Sequence, residues 1–180
     1  MKILAKDTML LVIDFQEKLI LAIYENEKII NNSKILIKGM KLLQIPYIIT
    51  QQNTKGLGKT VQEIAEISGV ETVFDKMTFS AYANEQIKNK ICESGKKNII
   101  LCGTEAHICV LQTLIELCEA GYQVIIVEDC VGSRKKNDKD IAIKRAIQEG
   151  AFVATYESIL FELIESADIK IFKELLQIVK

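Results

Sequence analysis

Six short apolar runs, Thr8–Ile13, Tyr47–Thr50, Glu71–Phe74, Asn98–Cys102, Tyr122–Val127 and Ala151–Thr155, recur along this 180-residue chain with polar or helical stretches between them. Most are rich in isoleucine and valine and show no polar alternation, which marks strands covered on both faces rather than on one. In the intervening segments apolar residues return at three- and four-residue steps. Ile29, Ile30, Ile37, Met40 and Leu43 do so across Glu27–Gln44, Ile87 and Ile91 follow Asn84, a candidate N-cap, and Val110, Leu111, Leu114, Leu117 and Cys118 lead to Gly121. That spacing lines up one face of a helix. Strands alternating with helices, without a hairpin signal, predict a parallel sheet between helical layers. With 49% hydrophobic residues, one proline and no linker or repeat, residues 1–180 are expected to form one domain around one well-buried core.

Charge and cysteine usage narrow the function classes. The net charge is −1 and no long block of one sign occurs, so no nucleic-acid partner is expected. Arg134–Lys139 is interrupted by acid and reads as a solvated loop. No run reaches the ~18 apolar residues of a membrane span, and the N-terminus meets Lys6 and Asp7 before any signal-peptide core forms. A cytoplasmic protein without a membrane partner is the expectation. Five cysteines form no CxxC pair, and Cys92, Cys102, Cys118 and Cys130 are expected as core thiols. A single histidine does not make a zinc site, so no metal and no cofactor are expected. Gly56–Thr60 lacks the first glycine of a phosphate-cradling loop and reads as a flexible rim.

Ligands of parallel sheets gather outside the carboxyl ends of the strands. Asp14 follows the first run, Lys76 the third and Cys109 the fourth, so three side chains distant in sequence converge on one edge. Cys109 lies within Gly103–Val110, at a strand-to-helix turn, where free N–H groups and the helix dipole favour a thiolate. A buried free cysteine with no chemistry is the commoner role for that residue type. Asp14 can take a thiol proton and return it, or can simply cap its turn. Lys76 is a surface lysine by default, but beside a cysteine it favours the thiolate. His107, two residues from Cys109 across a turn, suits a pocket wall or a structural role better than that of a base.

The stretches LLVIDFQEKL, TQQNTKGLGKT, FDKMTFSAY, LCGTEAHICVLQT and GYQVIIVEDCVGSR, in this order between Thr8 and Phe161, resemble the isochorismatase-like cysteine hydrolase family. The likeness is greatest to the branch of isochorismatase domain-containing proteins. It implies a doubly wound, Rossmann-like, six-stranded parallel sheet with helices on both faces, and a catalytic triad of Asp14, Lys76 and Cys109. It also implies a cis peptide between Thr104 and Glu105, with the backbone N–H groups of Glu105 and Cys109 as an oxyanion hole. The activity implied is hydrolysis of a small amide or related carbonyl compound through a thioester on the cysteine. Nicotinamidase members add a metal held partly by histidines near the first two strands, and this chain has none there. Phe15, Gln51, Phe79, Tyr82, Glu105 and His107 flank the triad and are the candidate pocket lining. Members commonly form homo-oligomers, and the apolar segment Ile169–Val179 suits subunit packing or docking on its own chain. A non-catalytic oligomeric scaffold and a redox-sensing thiol protein are the alternatives on the same fold.

Overall fold

The computed structural model describes residues 2–69 and 73–180. Strands β1 (Thr8–Ile13), β2 (Tyr47–Gln52), β3 (Val73–Lys76), β4 (Asn98–Thr104), β5 (Gln123–Gly132) and β6 (Phe152–Ala154) form one parallel sheet in the order β3-β2-β1-β4-β5-β6. Each apolar run of the sequence meets a strand, with Tyr122 left before β5 and Ala151 and Thr155 left on either side of β6. Glu71 and Thr72 of the third lie outside the described residues. β4 and β5 extend beyond their apolar runs. A bulge between Leu101 and Gly103 resets the register, and the ladder resumes with Gly103 opposite Val131 and Thr104 opposite Gly132. The polar residues Glu128 and Asp129 hide that continuation from hydropathy, whereas backbone hydrogen bonding is indifferent to it.

The helices are α1 (Glu17–Ile20), α2 (Asn26–Leu42), α3 (Thr54–Leu57), α4 (Gln62–Ser68), α5 (Glu85–Glu93), α6 (Leu111–Glu119), α7 (Lys136–Gln148), α8 (Tyr156–Ile164) and α9 (Phe172–Val179). Side chains alternate across the sheet with the two-residue period of a strand. Leu10, Val12, Ile100, Cys102, Ile125 and Val127 pack against α2, α4 and α8. Met9, Leu11, Ile13, Ile99, Leu101 and Ile126 pack against α5, α6 and α7. Asn84 caps α5 as its sequence indicates, its side-chain oxygen accepting from the N–H groups of Gln86 and Ile87. The C-terminal segment docks on its own chain. Leu175 is fully buried with the α2 side of the core, and Phe161 and Phe172 meet edge to face at 6.2 Å. No helix of the described residues is long and apolar enough to cross a membrane.

The strand order reverses direction at β1, which lies between β2 and β4. A crevice forms at that switch point because the connections leave toward opposite faces. Gly103 makes the close approach there possible. It sits at φ 137° opposite Ile13, and a β-carbon would come 2.1 Å from the Ile13 carbonyl oxygen. Gly103→Ala is therefore expected to lower stability by about 3 kcal/mol or more, read from urea unfolding, because both backbone and steric strain must be absorbed at a rigid sheet.

Candidate active site

Asp14 leaves β1 in the left-handed region, at φ 51°, which few non-glycine residues adopt. This turn aims a fully buried carboxylate along the strand ends. Its Oδ1 accepts from the Thr50 hydroxyl at 2.7 Å, and its Oδ2 from the Lys76 ammonium at 2.6 Å. Lys76 ends β3, two strands from β1, a lateral gap of roughly 9–10 Å that a long side chain bridges. Its Nζ also donates to the carbonyls of Phe79 at 3.0 Å and Thr78 at 3.2 Å, so all three ammonium donors are used. Both charged side chains are 0% exposed. Lys76 is thus not a surface lysine, and the burial of two fully engaged charges is what a purely structural turn would not need.

Cys109 lies in a π-helical turn, Ala106–Val110, that runs directly into α6. The peptide bond entering this turn, Thr104–Glu105, is cis. The Thr104 hydroxyl donates to the Asp14 carbonyl at 2.7 Å, tying the turn to the end of β1. Thr113 donates to the Cys109 carbonyl at 2.6 Å and accepts from the Ala81 N–H at 2.8 Å, which holds the cysteine backbone from below. The expectation that the helix start favours a thiolate is corrected here. Burial, followed by the facing Asp14 carboxylate, pushes the Cys109 thiol up to about 12, against the smaller opposing pulls of Lys76 and the Glu105 N–H. The resting group is a thiol beside a carboxylate.

That shift has a consequence for stability. An unfolded cysteine ionises near pH ~8.5, whereas folded Cys109 keeps its proton to about 12, so between these values the unfolded chain binds fewer protons and stability falls as pH rises. Burial raises the Cys102 and Cys130 thiols as well, and they act in the same direction. Urea midpoints measured from neutral to alkaline pH should hold below pH ~8 and then drop, by up to about 1.4 kcal/mol per pH unit for each such thiol. Cys109→Ala should remove its share of that slope.

The sulfur opens onto a cavity of about 270 Å³. Leu19, Leu57, Phe79 and Ile108 form its apolar walls, and Gln52 and the Glu105–Arg134 ion pair supply its polar groups. Of the pocket residues expected from sequence, Phe79 and Glu105 are on this lining and four are not. Phe15 is fully buried in the apolar core on the α2 side. Gln51 is a brace, accepting from the Thr60 N–H at 2.6 Å and donating to Asp75 at 3.2 Å. Tyr82 packs edge to face on Tyr122 at 5.9 Å, with Lys88 over its ring. His107 turns away to bond the Ser133 hydroxyl at 2.9 Å, the structural role of its two options. Each departs because neighbours in sequence need not share a face of a turn.

Arg134 is exposed, as a solvated loop requires, yet its Nε donates to Glu105 at 2.9 Å and it lines the cavity; residues 136–139 of that loop are instead the start of α7. The Gly56–Thr60 rim is pinned, since the Gln16 amide donates to the Gly58 carbonyl at 2.7 Å and the Gln52 carbonyl at 3.0 Å. Leu19 lies in α1 and Leu57, within the segment read as a rim, ends α3; the sequence singled out neither for the pocket. Cys92 and Cys118 also depart from expectation: the first is exposed and the second half-buried, whereas Cys102 and Cys130 are buried. Two other concavities, of about 310 Å³ beside Tyr24 and Asp129 and about 760 Å³ beside Asn53 and Met77, reach neither Asp14 nor Cys109.

The fold is that of the isochorismatase-like hydrolases, and the chain belongs to that family, its residues 8–158 matching the isochorismatase domain. It is 35% identical to isochorismatase family protein 1B of Dictyostelium discoideum, over 99% of this chain and 89% of that one. It is also 35% identical to isochorismatase domain-containing protein 2 of Danio rerio, over 94% of this chain and 85% of that one. Among solved structures it is similar to the MAR1 ribonuclease of Caenorhabditis elegans, with a TM-score of 0.94, 37% identity, and 99% and 92% of the two chains covered.

Proposed function

We propose that this family member is a cofactor-free cysteine hydrolase of a small amide or related carbonyl compound, with Asp14, Lys76 and Cys109 as its triad. The observation that carries the reading is a solvent-excluded Asp14–Lys76 pair with the Asp14 carboxylate facing a thiol that opens into a small cavity. In the proposed cycle Asp14 takes the thiol proton as the sulfur attacks the carbonyl carbon. The backbone N–H groups of Glu105 and Cys109 hold the oxyanion. The C–N bond then breaks, Asp14 passes its proton to the departing amine, and a thioester remains. Water, losing a proton to Asp14, attacks the thioester; the acid leaves and the proton returns to the sulfur. Lys76 orients the Asp14 carboxyl group and steadies the charge around it as the proton comes and goes.

A raised thiol pKa supports this reading over a redox sensor, whose thiol is normally exposed and low in pKa. A net charge of −1 and a mostly apolar cavity support a small substrate over a polynucleotide, and RNA is the natural control. Assembly as a homo-oligomer in a cytoplasmic setting completes the reading. The test is trapping. Incubation with a short-chain acyl p-nitrophenyl ester should add one acyl mass, mapped to Cys109 and released by hydroxylamine. Acylation elsewhere, or none, would overturn the covalent route.

A further inference from the structure

We propose that the Glu105–Arg134 pair makes the pocket selective for an uncharged substrate whose acyl part is apolar and small; this rests on the cavity beside Cys109 being the substrate site proposed above. Arg134 is the one basic residue among the described residues lining that cavity. Its backbone N–H and its Nε both donate to the same oxygen of Glu105, at 3.2 and 2.9 Å. The Arg134 side chain is 57% exposed, whereas that of Glu105 is 7% exposed, so the acid is the fixed half of the pair and faces inward. The other nearby cation, Lys76, is shut off from water and neutralised by Asp14. Every charge at the site therefore already has its partner.

A guest carboxylate reaching for Arg134 meets the Glu105 carboxylate, and repulsion between like charges grows as water is excluded. A guest ammonium reaching for Glu105 meets the Arg134 guanidinium already paired with it, and loses its hydration against Leu19, Leu57, Phe79 and Ile108. An uncharged acyl group loses little and gains apolar contact. At about 270 Å³ the cavity lies at the small end of ligand pockets. Glu105 thus acts on specificity through its side chain, separately from the use proposed for its backbone N–H.

Equilibrium binding to Cys109→Ala protein, followed by NMR, tests this without requiring turnover. Valeramide and glutaramic acid, the monoamide of glutaric acid, present the same amide with and without a terminal charge. Valeramide should bind about tenfold tighter, a difference of one modest charge interaction. In Glu105→Gln, where Arg134 is released, that preference should shrink to near parity or reverse. In the double variant Glu105→Gln, Arg134→Gln it should return. Equal binding of the two compounds to the Cys109→Ala protein, an unchanged preference in Glu105→Gln, or no shift of the Ile108 signals with either amide would overturn the assignment. Failure of thioester trapping in the unmodified protein would remove the covalent mechanism instead.

Discussion

Cys109→Ser and Cys109→Ala are expected to fold and to lose turnover of any amide the unmodified protein hydrolyses, by about 10³-fold or more. The serine variant is the sharper of the two. Its hydroxyl is a weaker acid than a thiol, and in the same buried position beside Asp14 it surrenders its proton with greater difficulty. The alanine variant removes the nucleophile and leaves little void, so its stability should stay within about 1 kcal/mol at neutral pH. Steady-state rates on a panel of small amides, paired with urea unfolding of each variant, make the measurement. Equal turnover by the serine variant and the unmodified protein would rule out a covalent cysteine.

Lys76→Met should destabilise the fold by about 3–5 kcal/mol and abolish activity together. It leaves the Asp14 carboxylate without its counter-charge in a place closed to water, and it orphans the Thr78 and Phe79 carbonyls that now accept from the ammonium. Asp14→Asn strands the ammonium in the same way. The double variant Asp14→Asn, Lys76→Met removes both charges, and it should regain much of the lost stability while remaining inactive. Such a cycle separates the pair's structural coupling from its use in catalysis. Near-neutral stability for Lys76→Met with activity retained would show that the pair serves neither.

How far these features could be read before folding depended on the range of the interaction concerned. Apolar runs and three-to-four-residue spacing are set by neighbours along the chain, so the parallel sheet, both helical layers and the Asn84 cap were all visible. The convergence of Asp14, Lys76 and Cys109 was also visible, because parallel strands deliver their carboxyl ends to one edge whatever their order. The extension of β5 to Gly132 was not, since the partner strand, not side-chain polarity, keeps that ladder running.

The linear chain was sufficient to establish the architecture and the three side chains at the sheet's edge, for those follow from periodicity and from where strands stop. The pocket and the protonation of Cys109 required the folded molecule. Arg134 meets Glu105 across 29 positions, and the Gln16 amide holds Gly58, the residue after Leu57 at the end of α3, across 42. A thiol's pKa depends on how much water its neighbours expel, and here that outweighs the helix start that the local sequence advertised. Contacts of that kind arise from packing, which no local pattern encodes.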